Sequence, residues 1–305
     1  MATRKVSTLL VLCFSLAVTI ALTAPQLHAQ KPPAPVFTTI DVPGAAETDA
    51  NDINTNGVIV GYDCVGAVCA NPPVAQAWVQ INGVFKFLKP PGSTSALAYG
   101  INDSNTVVGW YFDSAGVPHG FSFSKGKYTK IDPPGSTYTN AWSINSAGTI
   151  VGTYIGSDGL FHGFTLSGTT YTTFNAPNGA TTTEFTGVDN PGKNMVGIYI
   201  DTNGQQHGFQ LANGTTFTTI DPPGSNTTAA DRINDSGTVV GLFCSGTCAQ
   251  NVGPFSGYQK KGTTFSKVNF PSATETRCRG INNAGVIVGR YTDSAAAIHG
   301  MMVTP

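Results

Sequence analysis

The sequence predicts an all-β fold assembled from one repeated unit, and two observations support that prediction. The first is composition: of 305 residues, 36 are Gly and 19 are Pro, and only 11% are charged, a profile typical of many short strands joined by tight turns. The second is a phrase, I-N-x-x-G-x-(I/V)-V-G, whose closing glycines lie 48, 43, 45, 44 and 48 residues apart. A period of this size indicates stacked repeats or a propeller. The copies occupy residues 53–61, 101–109, 144–152, 188–197 (a degenerate copy), 233–241 and 281–289.

Each repeat is expected to contain four short antiparallel strands. The first ends at Ile-Asn, as at Asn145, and a tight turn leads into a β-branched second strand. The third opens with His-Gly-Phe, as at His119, and the fourth carries an aromatic residue with a large apolar residue three positions later, as at Tyr128. Asp-Pro-Pro-Gly-Ser segments at 132–136 and 221–225 end the fourth strand, because proline cannot donate to a β-ladder.

Repetition of such a unit six times predicts a six-bladed β-propeller of four-stranded antiparallel blades, formed by a single domain over residues 30–305. The mature sequence begins with the pattern of a fourth strand at 37–40, before any first strand, and it ends on a third strand at 299–301. The N-terminal strand is therefore expected to complete the last blade and close the ring.

The repeat also resembles the HAF extracellular repeat family, which is named for a His-Ala-Phe signature. The resemblance rests on I-N-x-x-G-x-V-V-G followed by an H-(A/G)-F strand, and it covers nearly all of the mature chain. The middle residue of that triplet is Gly here rather than Ala. The resemblance implies an exported bacterial repeat protein and little chemistry.

Residues 1–29 are predicted to be a secretory signal peptide. Arg4 and Lys5 precede an apolar run from Leu9 to Ala24, and small residues before Gln30 fit a cleavage site. An uncleaved membrane anchor is the alternative, and no other segment is long enough to span a membrane. The mature chain would be secreted, extracellular or periplasmic, and monomeric. It has 14 basic and 17 acidic residues without a basic stripe, so nucleic acid is not expected as a partner.

Close cysteine pairs in an exported protein predict local disulfides, Cys64 with Cys69 and Cys244 with Cys248. Zinc is the rival interpretation, but neither pair has a second pair or a histidine at ligand spacing. Cys278 occupies a repeat position held elsewhere by alanine, which predicts a buried core residue. No metal, cofactor or catalytic signature is found.

The histidines recur in one repeat slot, where we expect each to tie a turn to neighbouring backbone; a ring of histidines binding a metal or an anion is the alternative. A second slot contains Asp41, Asp132 and Asp221, which are expected to cap backbone N–H groups. Both slots are therefore interpreted as structural.

The residue types two and four positions before each copy of the I-N-x-x-G-x-(I/V)-V-G motif vary, although the surrounding sequence repeats. This variation indicates a ligand site. These positions lie near the central opening on the face that carries the longer loops, where function concentrates. Aromatic and mixed-charge residues around a concave opening suit a polar ligand such as a sugar. The alternative is that they form ion pairs between adjacent blades. Most candidate ligand-binding residues come from these two positions, and one, Glu275, comes from the start of the first strand in the sixth repeat. The candidates are Tyr99, Trp142, Glu184, Asp231, Glu275, Arg277 and Arg279.

The function expected from these features is a secreted binding or interaction module for a glycan or a protein. One alternative is an extracellular carbohydrate-active hydrolase or lyase, with Asp231, Glu275 or Glu184 as acid or base and Arg277 or Arg279 holding an anionic group. Another is a cell-surface or matrix component without a discrete ligand.

Overall fold

Short β-strands alternate with turns throughout the described part of the chain. The computed structural model describes residues 34–64, 74–246, 248 and 253–305, which belong to the unit Ala34–Pro305. The predicted signal peptide, residues 1–29, lies outside the described residues. Within them, secondary structure consists of 24 β-strands, which confirms the all-β prediction.

After strand β1 (Val36–Ile40), the strands fall into consecutive groups, called repeats 1 to 6 in chain order. Repeat 1 contains β2 (Glu47–Ile53), β3 (Ile59–Cys64), β4 (Ala75–Ile81) and β5 (Val84–Leu88); repeat 2 contains β6 (Ser95–Ile101), β7 (Val107–Phe112), β8 (Pro118–Ser124) and β9 (Lys127–Ile131). Repeat 3 contains β10 (Tyr138–Ile144), β11 (Ile150–Ile155), β12 (Phe161–Ser167) and β13 (Thr170–Phe174); repeat 4 contains β14 (Thr182–Val188), β15 (Asn194–Ile200), β16 (Gln206–Ala212) and β17 (Thr216–Ile220). Repeat 5 contains β18 (Thr227–Ile233), β19 (Val239–Cys244), β20 (Ser256–Lys261) and β21 (Thr264–Lys267); repeat 6 contains β22 (Glu275–Ile281), β23 (Ile287–Thr292) and β24 (Ile298–Thr304).

Successive strands within a repeat pair antiparallel. The start of the first strand and the end of the second therefore lie at one edge, which we call the loop end, and the Ile-Asn turns lie at the opposite edge. Strand β1 pairs antiparallel with β24 from Val36 opposite Thr304 to Ile40 opposite Gly300. The pairing that the sequence predicts between the N-terminal strand and the last third strand is thus present.

A β-bulge interrupts the first strand of every repeat at the same place. In β6, for example, the register shifts between Ala98 and Gly100, so Tyr99 has no partner in the ladder. The glycine that closes the repeated phrase faces this bulge: a Cβ on Gly109 would overlap the carbonyl oxygen of Leu97. The bulge turns one side chain per repeat away from the ladder, as bulges beside functional sites do. The bulged residues are Asn51, Tyr99, Trp142, Thr186, Asp231 and Arg279.

The asparagine of the repeated phrase closes its own turn and bonds the next repeat. In repeat 1, Oδ1 of Asn54 accepts hydrogen bonds from the backbone N–H groups of Asn56 and Val58, both at 3.0 Å. Its Nδ2 donates to the carbonyl oxygen of Asn102 at 3.1 Å. In repeat 6, Nδ2 of Asn282 donates to the carbonyl oxygen of Asn54 at 3.1 Å, so the last repeat is bonded to the first.

The hydrophobic core lies between neighbouring repeats. Val60 of repeat 1 packs in one cluster with Ala98 of repeat 2, and Val240 of repeat 5 packs with Ile281 of repeat 6. Burying a Val or Ile side chain contributes about 1.5–3 kcal/mol, so each repeat depends on its neighbour for a large part of its stability. Cys278 lies in this core as a free thiol with 0% exposure, as its slot in the repeat predicts.

Candidate functional site

The bulged residues of all six repeats line one small cavity, and we call the space that the first strands border around it the channel. The cavity has a volume of about 10 Å³, which is room for one water molecule. Tyr99 and Trp142 meet edge to face within it, with ring centroids 4.3 Å apart. Tyr99, Trp142, Asp231 and Arg279, four of the predicted ligand-binding residues, are therefore together, but side chains nearly fill the space between them.

Arg232 fills the channel beside this cavity, on the side toward the Ile-Asn turns. Its guanidinium donates to the carbonyl oxygens of Tyr99 and Thr186, and to that of Trp142 at 2.9 Å. Its Nε lies 3.3 Å from Oδ1 of Asp52. One side chain from repeat 5 thus bonds repeats 1, 2, 3 and 4. Arg232 is not among the predicted site residues, although it is one of four arginines in the last two repeats.

Each arginine near the channel has a carboxylate partner. Nη1 of Arg279 lies 3.4 Å from Oδ1 of Asp231, across the boundary between repeats 5 and 6. Nη1 of Arg290 lies 2.9 Å from Oε1 of Glu47 and 2.8 Å from Oδ2 of Asp49, across the boundary between repeats 6 and 1. The ion pairs between adjacent repeats that the sequence analysis gave as the alternative are therefore present.

These ion pairs shift the pKa values of the carboxyl groups in different directions. Burial disfavours the charged form of Asp49, but Arg290, Arg279 and a 2.6 Å hydrogen bond from Tyr62 together hold its pKa below the usual value. Burial raises the pKa of Asp231, and Arg279 offsets that effect only in part. The surroundings of Asp49 thus favour its ionised form, whereas those of Asp231 disfavour it even with Arg279 nearby.

Glu184 differs from every other acidic residue of the channel. It lies on β14, is half-buried, and forms no hydrogen bond or ion pair with any described residue. Burial, with a smaller contribution from the negative charge of Asp231, raises the pKa of Glu184 to about 7. Together with Glu184, the charged groups that form the ion pairs described here are six carboxylates, Glu47, Asp49, Asp52, Glu184, Asp231 and Glu275, and four guanidiniums, Arg232, Arg277, Arg279 and Arg290.

Glu275 and Arg277, the remaining predicted site residues, lie apart from Tyr99 and Trp142. Nε of Arg277 donates to Oε1 of Glu275 at 2.5 Å, and its guanidinium stacks 4.7 Å from the ring centroid of Phe255. Glu275 and Phe255 line a separate cavity of about 380 Å³ beside the Cys244–Cys248 disulfide. Four of the seven predicted residues therefore line the small cavity, Glu275 lines the larger one with Arg277 bonded to it, and Glu184 lines neither.

The repeated histidines bind carboxylate or amide side chains rather than backbone, which corrects the sequence-based expectation. Nδ1 of His119 lies 2.7 Å from Asp132 Oδ2, and its Nε2 lies 3.4 Å from Asp113 Oδ2. His207 and His299 contact Asp221 and Asp41 through Nδ1 at 2.7 and 2.9 Å; His162 contacts Asn175 at 2.6 Å. Asp41, Asp132 and Asp221 therefore bind histidine rings instead of capping backbone N–H groups. Each bond joins the third strand to the end of the fourth.

The Cys244–Cys248 disulfide is formed as predicted, whereas the predicted partner of Cys64, Cys69, lies outside the described residues. Among described side chains, no group of three or more His, Cys, Asp or Glu is placed to hold a metal ion. No helix in the described ranges is long and apolar enough to cross a membrane.

Comparison with solved structures identifies the architecture. TolB from Acinetobacter baumannii superposes with a TM-score of 0.55 at 11% identity, over 80% of this chain and 63% of TolB. The β-propeller domain of the Trilobed protease from Pyrococcus furiosus gives 0.52 at 9% identity, over 85% of this chain and 94% of that domain. A lectin from Aleuria aurantia, bound to Fucα1-6GlcNAc, gives 0.48 at 11% identity, over 88% of this chain and 98% of the lectin.

The likenesses to TolB and to the protease domain, together with the four-stranded sheets, show an all-β chain with β-propeller architecture. At such low identity they show the fold alone, and one fold supports many unrelated functions. The sequence matches no protein-family model and no curated protein.

Proposed function

We propose that this protein is an exported six-bladed β-propeller in which β1 completes the last blade. The five residue pairs between β1 and β24 support this closure, as does the hydrogen bond from Asn282 to Asn54 between the last and first repeats. The signal-like segment 1–29 and the resemblance to HAF repeats support export. The Cys244–Cys248 disulfide agrees with an oxidising compartment.

We further propose that the propeller is a binding module that holds a glycan or a protein at the loop end of its central channel. Glu184 carries this proposal, because a half-buried carboxylate without a partner is costly to keep in a fold. Arg232 fills the channel on the opposite side of the bulged residues, so a ligand must approach from the loop end. Tyr99 and Trp142, both half-buried, offer aromatic surface in the same channel.

A glycan array probed with residues 30–305, with the disulfides intact, tests the proposed binding function. Glu184→Gln keeps the shape of the side chain and removes its charge, so we expect it to weaken a genuine hit at this site. Asp235→Asn is the matched control, because Asp235 lies at the opposite end and accepts a hydrogen bond from the backbone N–H of Asn190 at 2.9 Å. A hit that Glu184→Gln and Asp235→Asn affect equally would place binding elsewhere. A folded protein without any hit would favour a protein partner or a structural role.

The pKa of Glu184 also favours a second candidate function, an extracellular carbohydrate-active hydrolase or lyase. A carboxyl group with a pKa of about 7 is suited to general acid or base catalysis near neutral pH. In that case Glu184→Gln would abolish turnover of a bound glycan while leaving its binding largely intact. Loss of binding without detectable turnover by the parent protein would exclude the enzymatic interpretation for that glycan.

A further inference from the structure

Two negative charges of the channel wall lack a compensating guanidinium: one is that of Glu184, and the other arises where Glu47 and Asp49 share Arg290. The six carboxylates and four guanidiniums identified above leave two uncompensated negative charges when all are ionised. Three of the arginines, Arg277, Arg279 and Arg290, come from repeat 6. Glu184 lies on repeat 4, and burial and Asp231 are the influences on its charged state. A channel with low-dielectric walls concentrates such a potential, so this side of the opening attracts cations.

The same side of the channel carries oxygen atoms that lack hydrogen-bond donors. Oδ1 of Asn140, Oγ1 of Thr153 and Oδ2 of Asp231 are buried, and each has no partner among the described residues. Asn140 is 4% exposed and Thr153 1% exposed, and they face each other on paired strands β10 and β11. A buried polar atom without a hydrogen bond is unfavourable, so a ligand that donates hydrogen bonds to these oxygens supplies what the free protein lacks.

Tyr138 connects these oxygens to Glu184. Nδ2 of Asn140 donates to the phenol oxygen of Tyr138 at 2.6 Å. Burial, with a smaller contribution from the negative charge of Glu184, raises the pKa of Tyr138. Asn140 and Glu184 also occupy the same position in neighbouring repeats 3 and 4. The amide of Asn140 is thereby held with its nitrogen toward Tyr138, which leaves its oxygen free for an incoming donor.

We propose that this part of the channel, formed by Glu184, Asn140 and Thr153, binds a primary ammonium group. An R–NH₃⁺ group has one positive charge and three N–H donors, which match one carboxylate without a partner and two buried acceptor oxygens. Neutral hydroxyl groups supply donors without charge, and quaternary ammonium groups supply charge without donors. Amino sugars and simple alkyl amines both carry the required group. This inference rests on the proposed binding function and specifies the ligand chemistry of the same site.

Calorimetric titration with two matched pairs of probes tests the inference. The first pair is ethanolamine and N-acetylethanolamine; the second is glucosamine and N-acetylglucosamine, and tetramethylammonium serves as a cation without donors. We expect the free amines to bind about tenfold or more tightly than their acetylated counterparts, as expected for losing a buried charge-assisted hydrogen bond. Preference for glucosamine over ethanolamine would identify an amino sugar as the source of the ammonium group.

Two variants connect binding to the proposed residues. Glu184→Gln should weaken binding of either amine by about tenfold or more, since the only carboxylate without a partner in the described channel is lost. Thr153→Val removes the hydroxyl and keeps the shape, and it should weaken the amines while leaving tetramethylammonium unchanged. Thermal melting verifies that both variants are folded.

The outcomes separate the two proposals. Equal binding of amines and acetylated probes, equal binding of tetramethylammonium, or amine binding that survives both substitutions would each overturn the ammonium inference. If the protein binds neutral glycans in a Glu184-dependent way but shows no preference for amines, the binding function stands and the ammonium inference is wrong. If neither amines nor glycans bind, the ammonium inference is wrong, and the binding function is left with a protein partner only.

Discussion

Replacing Glu184 with Gln should stabilise the protein at alkaline pH and leave it nearly unchanged at acidic pH. Burial raises the pKa of Glu184 from 4.5 to about 7, so the folded state holds this proton more tightly than the unfolded state does. Stability from this group is therefore greatest below pH 4.5 and is lost as the pH rises toward 7. A shift of this size corresponds to about 3 kcal/mol once the group is ionised in both states.

Urea unfolding of the parent and of Glu184→Gln, near pH 5 and near pH 8 with the disulfide intact, measures this difference. We expect a free-energy gain of about 3 kcal/mol for the variant near pH 8, and a small difference near pH 5. Glu275→Gln is the matched control, because Glu275 lies at the start of the first strand of repeat 6 and receives a hydrogen bond from Arg277. That control should lose stability, since it removes the negative charge that accepts the hydrogen bond from Arg277.

Two results would refute the reasoning about Glu184. The first is a variant no more stable than the parent near pH 8, which would mean that the carboxylate has an effective partner. The second is a gain of the same size at both pH values, which would mean that the effect comes from packing rather than from ionisation.

Three further predictions follow from the contacts between repeats. Arg232→Met should destabilise the protein by about 3–5 kcal/mol because it leaves Asp52 buried without its guanidinium partner. In urea unfolding, the double variant Arg232→Met/Asp52→Asn should recover part of the lost unfolding free energy. An equal loss in the single and the double variant would contradict this reasoning. Contacts with Asp41 and Asp293 raise the pKa of His299 despite partial burial. The stability that protonated His299 contributes is therefore complete below the ordinary histidine pKa and is lost as the pH rises through the raised value. Melting temperatures of His299→Gln should consequently depend less on pH than those of the parent. Deleting residues 30–41 removes β1 and should lower the melting temperature of the whole fold, whereas an unchanged melting curve would disprove closure of the ring by β1.

The sequence predicted those parts of the fold that depend on local chemistry. The Ile-Asn turns are an example: Asn54 closes its turn through bonds that span only two and four residues. Gly148 adopts φ 86° in that turn, and Asn105 takes the same slot with φ 58°, which explains why that copy of the phrase lacks Gly. The partner of β1 could also be predicted, because only one repeat lacks a fourth strand.

The sequence could not predict contacts that depend on the distance between repeats. Arg232 bonds the carbonyl oxygen of Tyr99, 133 residues away, and no local pattern specifies that contact. The bulge at Tyr99 is visible in sequence only indirectly, as the need for Gly109 opposite it. The bonds between histidines and aspartates were missed for a related reason: both slots were recognised as periodic, but their spacing along the chain does not show that they meet.

The channel can be interpreted as a structural ion-pair network or as a binding site, and the residues divide between the two. Arg290, Arg279 and Arg232 each contact a carboxylate across a boundary between repeats, so their charges can be explained by stability alone. The charge of Glu184 cannot be explained by stability, since replacing Glu184 with a neutral side chain should make the free protein more stable. A rigid wall built from hydrogen-bonded repeats can retain such a group because the remaining contacts fix its position. A ligand that brought a positive charge to Glu184 and a hydrogen-bond donor to Asn140 would offset the loss of stability that ionised Glu184 causes. Binding of a primary ammonium and the stability of Glu184→Gln therefore test, independently, whether Glu184 lacks a partner in the free protein.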